Sequence, residues 1–535
     1  MSDETTVTEP ETETETEPET GTETEQEETV QLHGIKSSNE NRPIVPPMEL
    51  HGRRQIFTNE ENITASNVVA ELNKWLAVHN RNRSEIVYLE RYVRGEQPIL
   101  DRVKKYRAEI NNRVVVNIAN QITAFKTAEF AGEPIQYVSS GKGEDVPKKI
   151  ESLNGMMLSE GKMSRDMKLA YNMFTCGVGY RLVLMDKAEG VGKGEIFDEA
   201  PFEIYTPDPQ NTFVVRLNDV TRRVVAGVTY VYLDESRNRV LYTVYTANSS
   251  FQVEGNGTTA GGPVKETVYN FGIVPLVEYP CNNVYMGAFE PVLPLLDAYN
   301  NITSNRMDAI EQFVQAIMVF EGVDITNEML DEVKERGALK IPPTMDGRTG
   351  KVYYLNEQLD QTQTQALVDD LYNTILSIVG MPSHGSGNTS DSSNNGAVML
   401  KNGWWDAEAR NLEVIGSWRQ SETDFLRIVL LICQSANVLG GLKLSDIIVK
   451  FGSHSYEDKL VKTQSFTTLI GAGVPPIQAY TVSGMLTDPE AASIAFEKYR
   501  EERRAEELDE EADTKRNNTA AAPNLTLDTT DTEGA

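Results

Sequence analysis

Apolar positions recur at helical spacing in the first and last thirds of this chain and at strand spacing between them. A first helix is predicted from about Ser66 to Arg94, stopping at Gly95, a natural left-handed cap. A second carries Val115, Ile118, Ala119, Ile122 and Phe125 on one stripe and ends before Gly132-Glu133-Pro134; Ile135 to Val138 reads as a short strand. A third helix follows Pro147 and holds Met156, Met157, Met163, Met167 and Met173, which read as gap-filling core. From Gly179 to Phe271 the period is two, with turn residues between β-branched and aromatic runs. That predicts an antiparallel meander, with the glycine-rich 254–262 as a hairpin tip.

Helical spacing returns from Phe289 to about Val319, through Val292, Leu295, Leu296, Tyr299, Ile302, Ile310, Phe313 and Val314. A small mixed module follows: a helix at 327–336, the breaker Pro342-Pro343, a turn at Asp346-Gly347 and a strand at 351–355. Thr362 to Val379 places Leu367, Leu371, Ile375, Ile378 and Val379 on one stripe. Then come fourteen residues, 383–396, without one large apolar side chain. Ala397 to Leu439 has no proline, and as a helix would be roughly 65 Å long. A helical module from Tyr456 to about Leu508, punctuated by Pro475-Pro476 and Asp488-Pro489, closes the pattern. The fold class is α+β. A polar loop held between two apolar helices reads as a finger on a rigid frame rather than a linker.

Charge changes this picture only at the ends. Residues 1–30 hold twelve acids and no Lys or Arg, and residues 501–535 hold eleven acids against four bases, so more than half of the net charge of −30 lies in the tails. Composition predicts disorder for an acidic arm, 1–61, and a tail, 511–535. A solvating tail is the plain reading, a docking arm for a basic partner the sharper one. A basic run, Arg81 to Arg113, reads as a solvated helix face with local ion pairs. The acidic N-terminus predicts no secretory signal, and no apolar run is long enough to span a bilayer. Cys176, Cys281 and Cys433 are sparse and odd in number, as expected of reduced, buried thiols in a chain made in a cytoplasm.

Catalytic constellations are missing. His79, His384 and His454 are isolated, and no Cys/His spacing suits zinc. Gly190-Val-Gly-Lys-Gly194 lacks the Ser/Thr and leading Gly of a phosphate loop, and His384-Gly-Ser-Gly387 lacks the spacing of a nucleophile elbow. Asp369-Asp370 reads as a solvated pair. No enzyme activity, cofactor or metal is expected, which points to a structural or mechanical protein.

The order of these pieces resembles the portal proteins of tailed bacteriophages, in the long-tailed siphophage branch. Tyr92-Val-Arg-Gly-Glu96, Asn111-Asn-Arg-Val-Val-Val-Asn117, Phe125-Lys126-Thr127 and Gly132-Glu-Pro-Ile135 are similar to that family's N-terminal block. Phe271-Gly-Ile-Val-Pro275 and Asp297-Ala-Tyr-Asn300 resemble its lead-in to the stem, and Ile378-Val-Gly-Met-Pro382 the approach to its tunnel loop. The resemblance covers about residues 62–500. It implies a portal fold: an α/β wing (62–288), stem helices at 289–318 and 360–380, and a small α/β clip (319–359). It further implies a tunnel loop (381–396), a long kinked wing helix (397–440) and an α-helical crown (441–510).

The same resemblance implies a ring of about twelve copies at one capsid vertex. The ring would nucleate head assembly with scaffold and major capsid proteins, and dock the terminase large subunit. It would bind a head-completion or adaptor protein and conduct double-stranded DNA during packaging and ejection, with no membrane partner. Residues 383–396 would face the channel, through Ser386, Asn388, Thr389, Ser390, Asn394 and Asn395. Short hydroxyl and amide groups touch a phosphate backbone without the tight grip of several Lys or Arg. Lys334, Arg336, Lys340, Arg348 and Lys351 would face the terminase or connector from the clip. The alternative is a nucleic-acid-processing enzyme or regulatory subunit with 383–396 as a lid, which would need a carboxylate cluster with metal affinity.

Overall fold

The long amphipathic stripe of the first helix serves two cores. In the computed structural model, which describes residues 52–105, 107–140, 145–185, 200–236, 238–269, 271–314, 317–321, 351–355, 361–382, 403–452, 459–485 and 489–520, α1 runs Val68–Val93. Val68, Leu72, Trp75 and Leu76 near its start pack on a β-sheet; Tyr88, Leu89, Tyr92 and Val93 near its end join a helical core. Gly95 follows with φ +94°, where an L side chain would be strained.

That sheet has six strands: β1 (Ile56–Thr58), β5 (Thr212–Leu217), β6 (Val224–Tyr232), β7 (Val240–Tyr245), β8 (Ser249–Gly255) and β9 (Ala260–Val268). β1 runs parallel to β5 and the rest are antiparallel. Alternation sends Phe213, Val215, Val228, Tyr230, Tyr242, Val244, Phe251 and Val253 inward against α1. The turn between β8 and β9 is the hairpin tip expected from the glycine-rich stretch.

A second, three-stranded antiparallel sheet has the order β10 (Leu276–Pro280), β3 (Val178–Met185), β4 (Phe202–Tyr205). α2 (Ile118–Ala131), α3 (Val146–Ser159), α4 (Lys162–Cys176) and α7 (Trp404–Ser435) share its core, through Phe130, Leu153, Met173, Phe174, Phe202, Tyr279, Trp418, Phe425 and Val429. β2 (Gln136–Ser139) pairs antiparallel with β13 (Ile447–Lys450). α5 (Leu293–Val314) and α6 (Gln361–Val379) pack together beside the end of α1. The antiparallel pair β11 (Ile317–Glu321) and β12 (Lys351–Leu355) follows α5 and precedes α6 in the chain. α8 (Lys459–Gly471), α9 (Pro476–Ser483) and α10 (Pro489–Ala520) are the last of the described elements.

Several sequence expectations change. Ordered structure starts before the predicted boundary at residue 62: β1 pairs with β5, and Arg53 is only 5% exposed. The predicted methionine-bearing third helix is two helices, because Gly161 adopts φ +63° between them. The single meander divides: β5 to β9 form one, but β3, covered along most of its length, and β4 join the second sheet. Residues 447–450 form a strand on β2 rather than part of an all-helical crown, and the helix from 289 ends at Val314. α10 extends through Ala520, past the predicted tail boundary, aided by spaced ion pairs such as Lys498–Glu502 and Arg503–Glu507.

Candidate functional site

Residues 383–396, including Ser386, Asn388, Thr389, Ser390, Asn394 and Asn395, lie outside the described residues, as do Lys334, Arg336, Lys340 and Arg348. Lys351 opens β12, opposite Glu321. What the structure does describe is the frame on which both predicted sites stand. α6 ends at Gly380, φ +65°, with the Met381 N–H donating to the Leu376 carbonyl at 2.8 Å, a left-handed cap that turns the chain sharply. α7 opens at Gly403, φ +77°, where an added Cβ would stand 3.8 Å from the Pro382 Cα. The two flanks of the polar loop therefore lie side by side. An added Cβ on Gly380 would come within 2.7 Å of the Arg410 Cγ, so α6 and α7 approach closely at this junction. Phe125 of α2 contacts Trp404 (6.1 Å between centroids), and Gln121 donates to the Tyr372 hydroxyl at 2.9 Å.

Behind this junction α7 is tied to the body by a fully buried charge cluster. Glu422 accepts from the Tyr137 hydroxyl at 2.6 Å, the Tyr279 hydroxyl at 3.0 Å and Arg181 Nη1 at 3.1 Å, and Lys162 Nζ stands 2.8 Å from it. Asp166 completes the set, taking Lys162 at 2.6 Å and the other arm of Arg181. Arg181 also lies over the rings of Tyr279 and Phe425. Burial by itself would raise the Glu422 carboxyl, but Lys162, Arg181 and the Tyr137 hydroxyl hold it down at about 2. Two cations and two anions, each with several partners, make a dry joint between α4, β3 and α7.

At its N-terminal end α5 is held by another buried pair. Arg53 reaches Glu290 at 2.6 Å and Glu85 of α1 at 3.3 Å, and the Gly287 N–H donates to Glu290 at 2.8 Å. Tyr92 stacks on Phe289 and donates to Asp297 at 2.8 Å. Leu293 and Leu296 join Phe289, Val292, Ile375 and Leu376 in the surrounding core.

Farther along α5 the contacts become polar. An extended strap leading to α2 lies against the helix and donates alternate backbone N–H groups to it. Val116 bonds the Asn300 side-chain oxygen (2.9 Å), Val114 the Ser304 hydroxyl (3.0 Å) and Asn112 the Asp308 carboxylate (2.7 Å). Four helical residues rise about 6 Å and two extended residues about 6.6 Å, so the ladders stay in step. Arg102 and Lys104 each reach Asp308 at 3.0 Å, and Asn112 also donates to Glu311. Asn117 ends the strap by accepting from the Asn120 N–H, capping α2.

A family model described as "Phage portal protein, SPP1 Gp6-like" matches residues 72–515. The chain belongs to that family. This portal protein is thus a structural, non-enzymatic part of the phage particle, at the portal vertex of the capsid. No curated protein matches the chain. Solved structures similar to it include a chain in the neck of an empty GTA particle computed with C6 symmetry, at 11% identity and TM-score 0.42, covering 70% of this chain and 91% of that one. Another comes from the virion of a native gene transfer agent particle, at 12% identity and TM-score 0.40, covering 75% and 94%.

Among the described residues of the portal protein, no group of three or more His, Cys, Asp or Glu could hold a metal ion, and no helix is long and apolar enough to cross a membrane. Asn111 to Asn117 and Asp297 to Asn300, separate motifs in the sequence, come together in the structure as strap and helix. The signal was present, since Asn300, Ser304 and Asp308 recur every fourth residue along a helix with apolar neighbours. Glu422, a carboxylate close to the apolar stripe of α7, carries no local signal, because its partners come from residues 137, 162, 181 and 279.

Proposed function

We propose that the chain closes into a ring of about twelve copies and conducts double-stranded DNA through its centre. In this reading α5 and α6 line the stem, residues 383–396 face the channel and the module around β11 and β12 docks the terminase. The clip keeps the boundaries drawn from the sequence, while the wing gains 52–61 through β1 and Arg53 and takes 447–450 from the crown beside β2. The observation that carries it is the exposed apolar surface on both stem helices: Met307 (45% exposed) and Ile310 on α5, Leu367 (48%) and Ile378 on α6. A neighbouring copy would bury what a single chain leaves in water. The adjoining flanks of the loop at Pro382 and Gly403 support a finger projecting from one point rather than a span between two bodies.

Electron microscopy of the purified full-length chain tests the ring: closed particles with a central hole are expected, and a monomer at every concentration and salt defeats it. Channel-facing residues are tested separately. Replacing Asn388, Asn394 and Asn395 with Lys should leave rings intact but stall packaging, with partial relief at raised salt. Normal packaging would remove the loop from the DNA path. Reversing Lys334 and Arg336 to Glu should slow terminase docking at low salt while rings still form. An unchanged association rate takes those residues out of the interface. Head assembly and adaptor binding belong to the same reading through the partners already named.

A further inference from the structure

We propose that the strap, residues 110–117, is a releasable latch on the distal half of α5, with Asn300 marking the point beyond which the helix can come free of the body. It goes beyond the conduit reading and does not depend on it, because it stands on the contacts of one chain.

The two halves of α5 are held differently. Leu293 and Leu296 sit in an apolar core with Phe289, Val292 and Ile375, and opening that contact would expose hydrocarbon to water. From Asn300 onward the side chains turned to the strap are Asn300, Ser304 and Asp308, all buried, while Met307 and Ile310 face outward. The strap is half-exposed along 111, 112 and 114–117. Its N–H groups can therefore exchange a side-chain acceptor for water as it lifts, and Val116, partly buried against the helical core, is the strap side chain that would leave apolar contact. Asp308 is the strongest point, with the Asn112 N–H, Arg102 and Lys104 converging on it. The two cations keep partial contact with solvent, so salt weakens their hold. Both ends of the strap are tethered: Ile110 is buried, and Asn117 caps α2 and donates to the Val93 carbonyl at 2.7 Å. The latch can lift without being lost. Lifting it would let the distal turns of α5, and the β11–β12 pair beyond them, shift against a fixed body.

Residue-resolved hydrogen exchange on the full-length protein tests this. In the unmodified chain the amides of Asn112, Val114 and Val116 should exchange at least about tenfold faster than the amides of Trp75 to Leu89 in α1. Raising salt should speed the three strap amides several-fold and leave α1 unchanged. Asp308→Asn keeps an acceptor for the Asn112 N–H but removes the charge, so it should speed the strap amides at low salt and abolish their salt dependence. Strap amides that open only together with α1 would make the seam part of the core and overturn the latch. So would a salt dependence that survives in Asp308→Asn. The salt series on the unmodified chain stands even if the variant fails to fold.

Discussion

Two of the polar joints that hold the frame of this portal protein differ in water rather than in chemistry. At Glu422 the carboxylate, Lys162 and Arg181 are essentially fully buried. At Asp308 the carboxylate is covered, but Arg102 and Lys104 keep part of their surface in solvent. Charges in a dry site cannot be released one at a time, because the partner left behind has no water to turn to. Charges at a wet seam can be exchanged for water or screened by salt. The first joint fixes α7 to the body. The second lets α5 remain conditionally attached.

The largest effect should follow from breaking the dry joint. Glu422→Ala leaves Lys162 and Arg181 buried with Asp166 alone, and should cost about 3–5 kcal/mol in denaturant unfolding. A loss below about 1 kcal/mol would mean water reaches this cluster, and the contrast would fail. Its pH dependence has a definite sign: a carboxyl held at about 2 contributes stability above its ordinary pKa of 4.5, and that contribution disappears as pH falls toward 2.

Arg53→Ala should cost somewhat less, roughly 3 kcal/mol, because Glu85 retains Arg54 at 2.7 Å while Glu290 keeps only the Gly287 N–H and the residual field. Thermal unfolding of this variant beside a chain that begins at residue 52 separates the pin from the acidic arm. If both are equally destabilised, the arm rather than Arg53 secures the start of α5.

Glu90 sharpens the comparison, since it is a largely covered carboxyl with no cation in salt-bridge contact among the described residues. Burial and the nearby Asp208 push it up to about 7, despite its hydrogen bond from Gln210. The folded state therefore keeps a proton that the unfolded chain releases near 4.5, so stability falls as pH rises between 4.5 and 7. Glu90→Gln should remove this slope and be more stable than the unmodified chain at pH 8, by roughly 2 kcal/mol. Urea unfolding at pH 5 and pH 8 reads both values, and parallel slopes in the two proteins would refute the raised carboxyl.

Asp308→Asn should be the mildest, near 1 kcal/mol in global stability, because the partly exposed Arg102 and Lys104 can turn to water when their partner is lost. A cost equal to that of Glu422→Ala would place the seam in the same class as the buried joint.

Local spacing was enough to predict most helices, the β9 hairpin, the β12 strand and the long α7, because side-chain periodicity depends only on the chain's own geometry. Even the Gly95 stop was legible. The sequence also contained the i, i+4, i+8 polar ladder of α5, and the family resemblance that the match over 72–515 bears out. Tertiary structure alone decided which strand joined which sheet, that Arg53 belongs to the core, and that Glu422 is a joint rather than a flaw in an apolar stripe. The physical reason is the same in each case. Whether a polar group is stable where it sits depends on desolvation and on partners far away in sequence, such as the 237 residues between Arg53 and Glu290, and no local pattern records them.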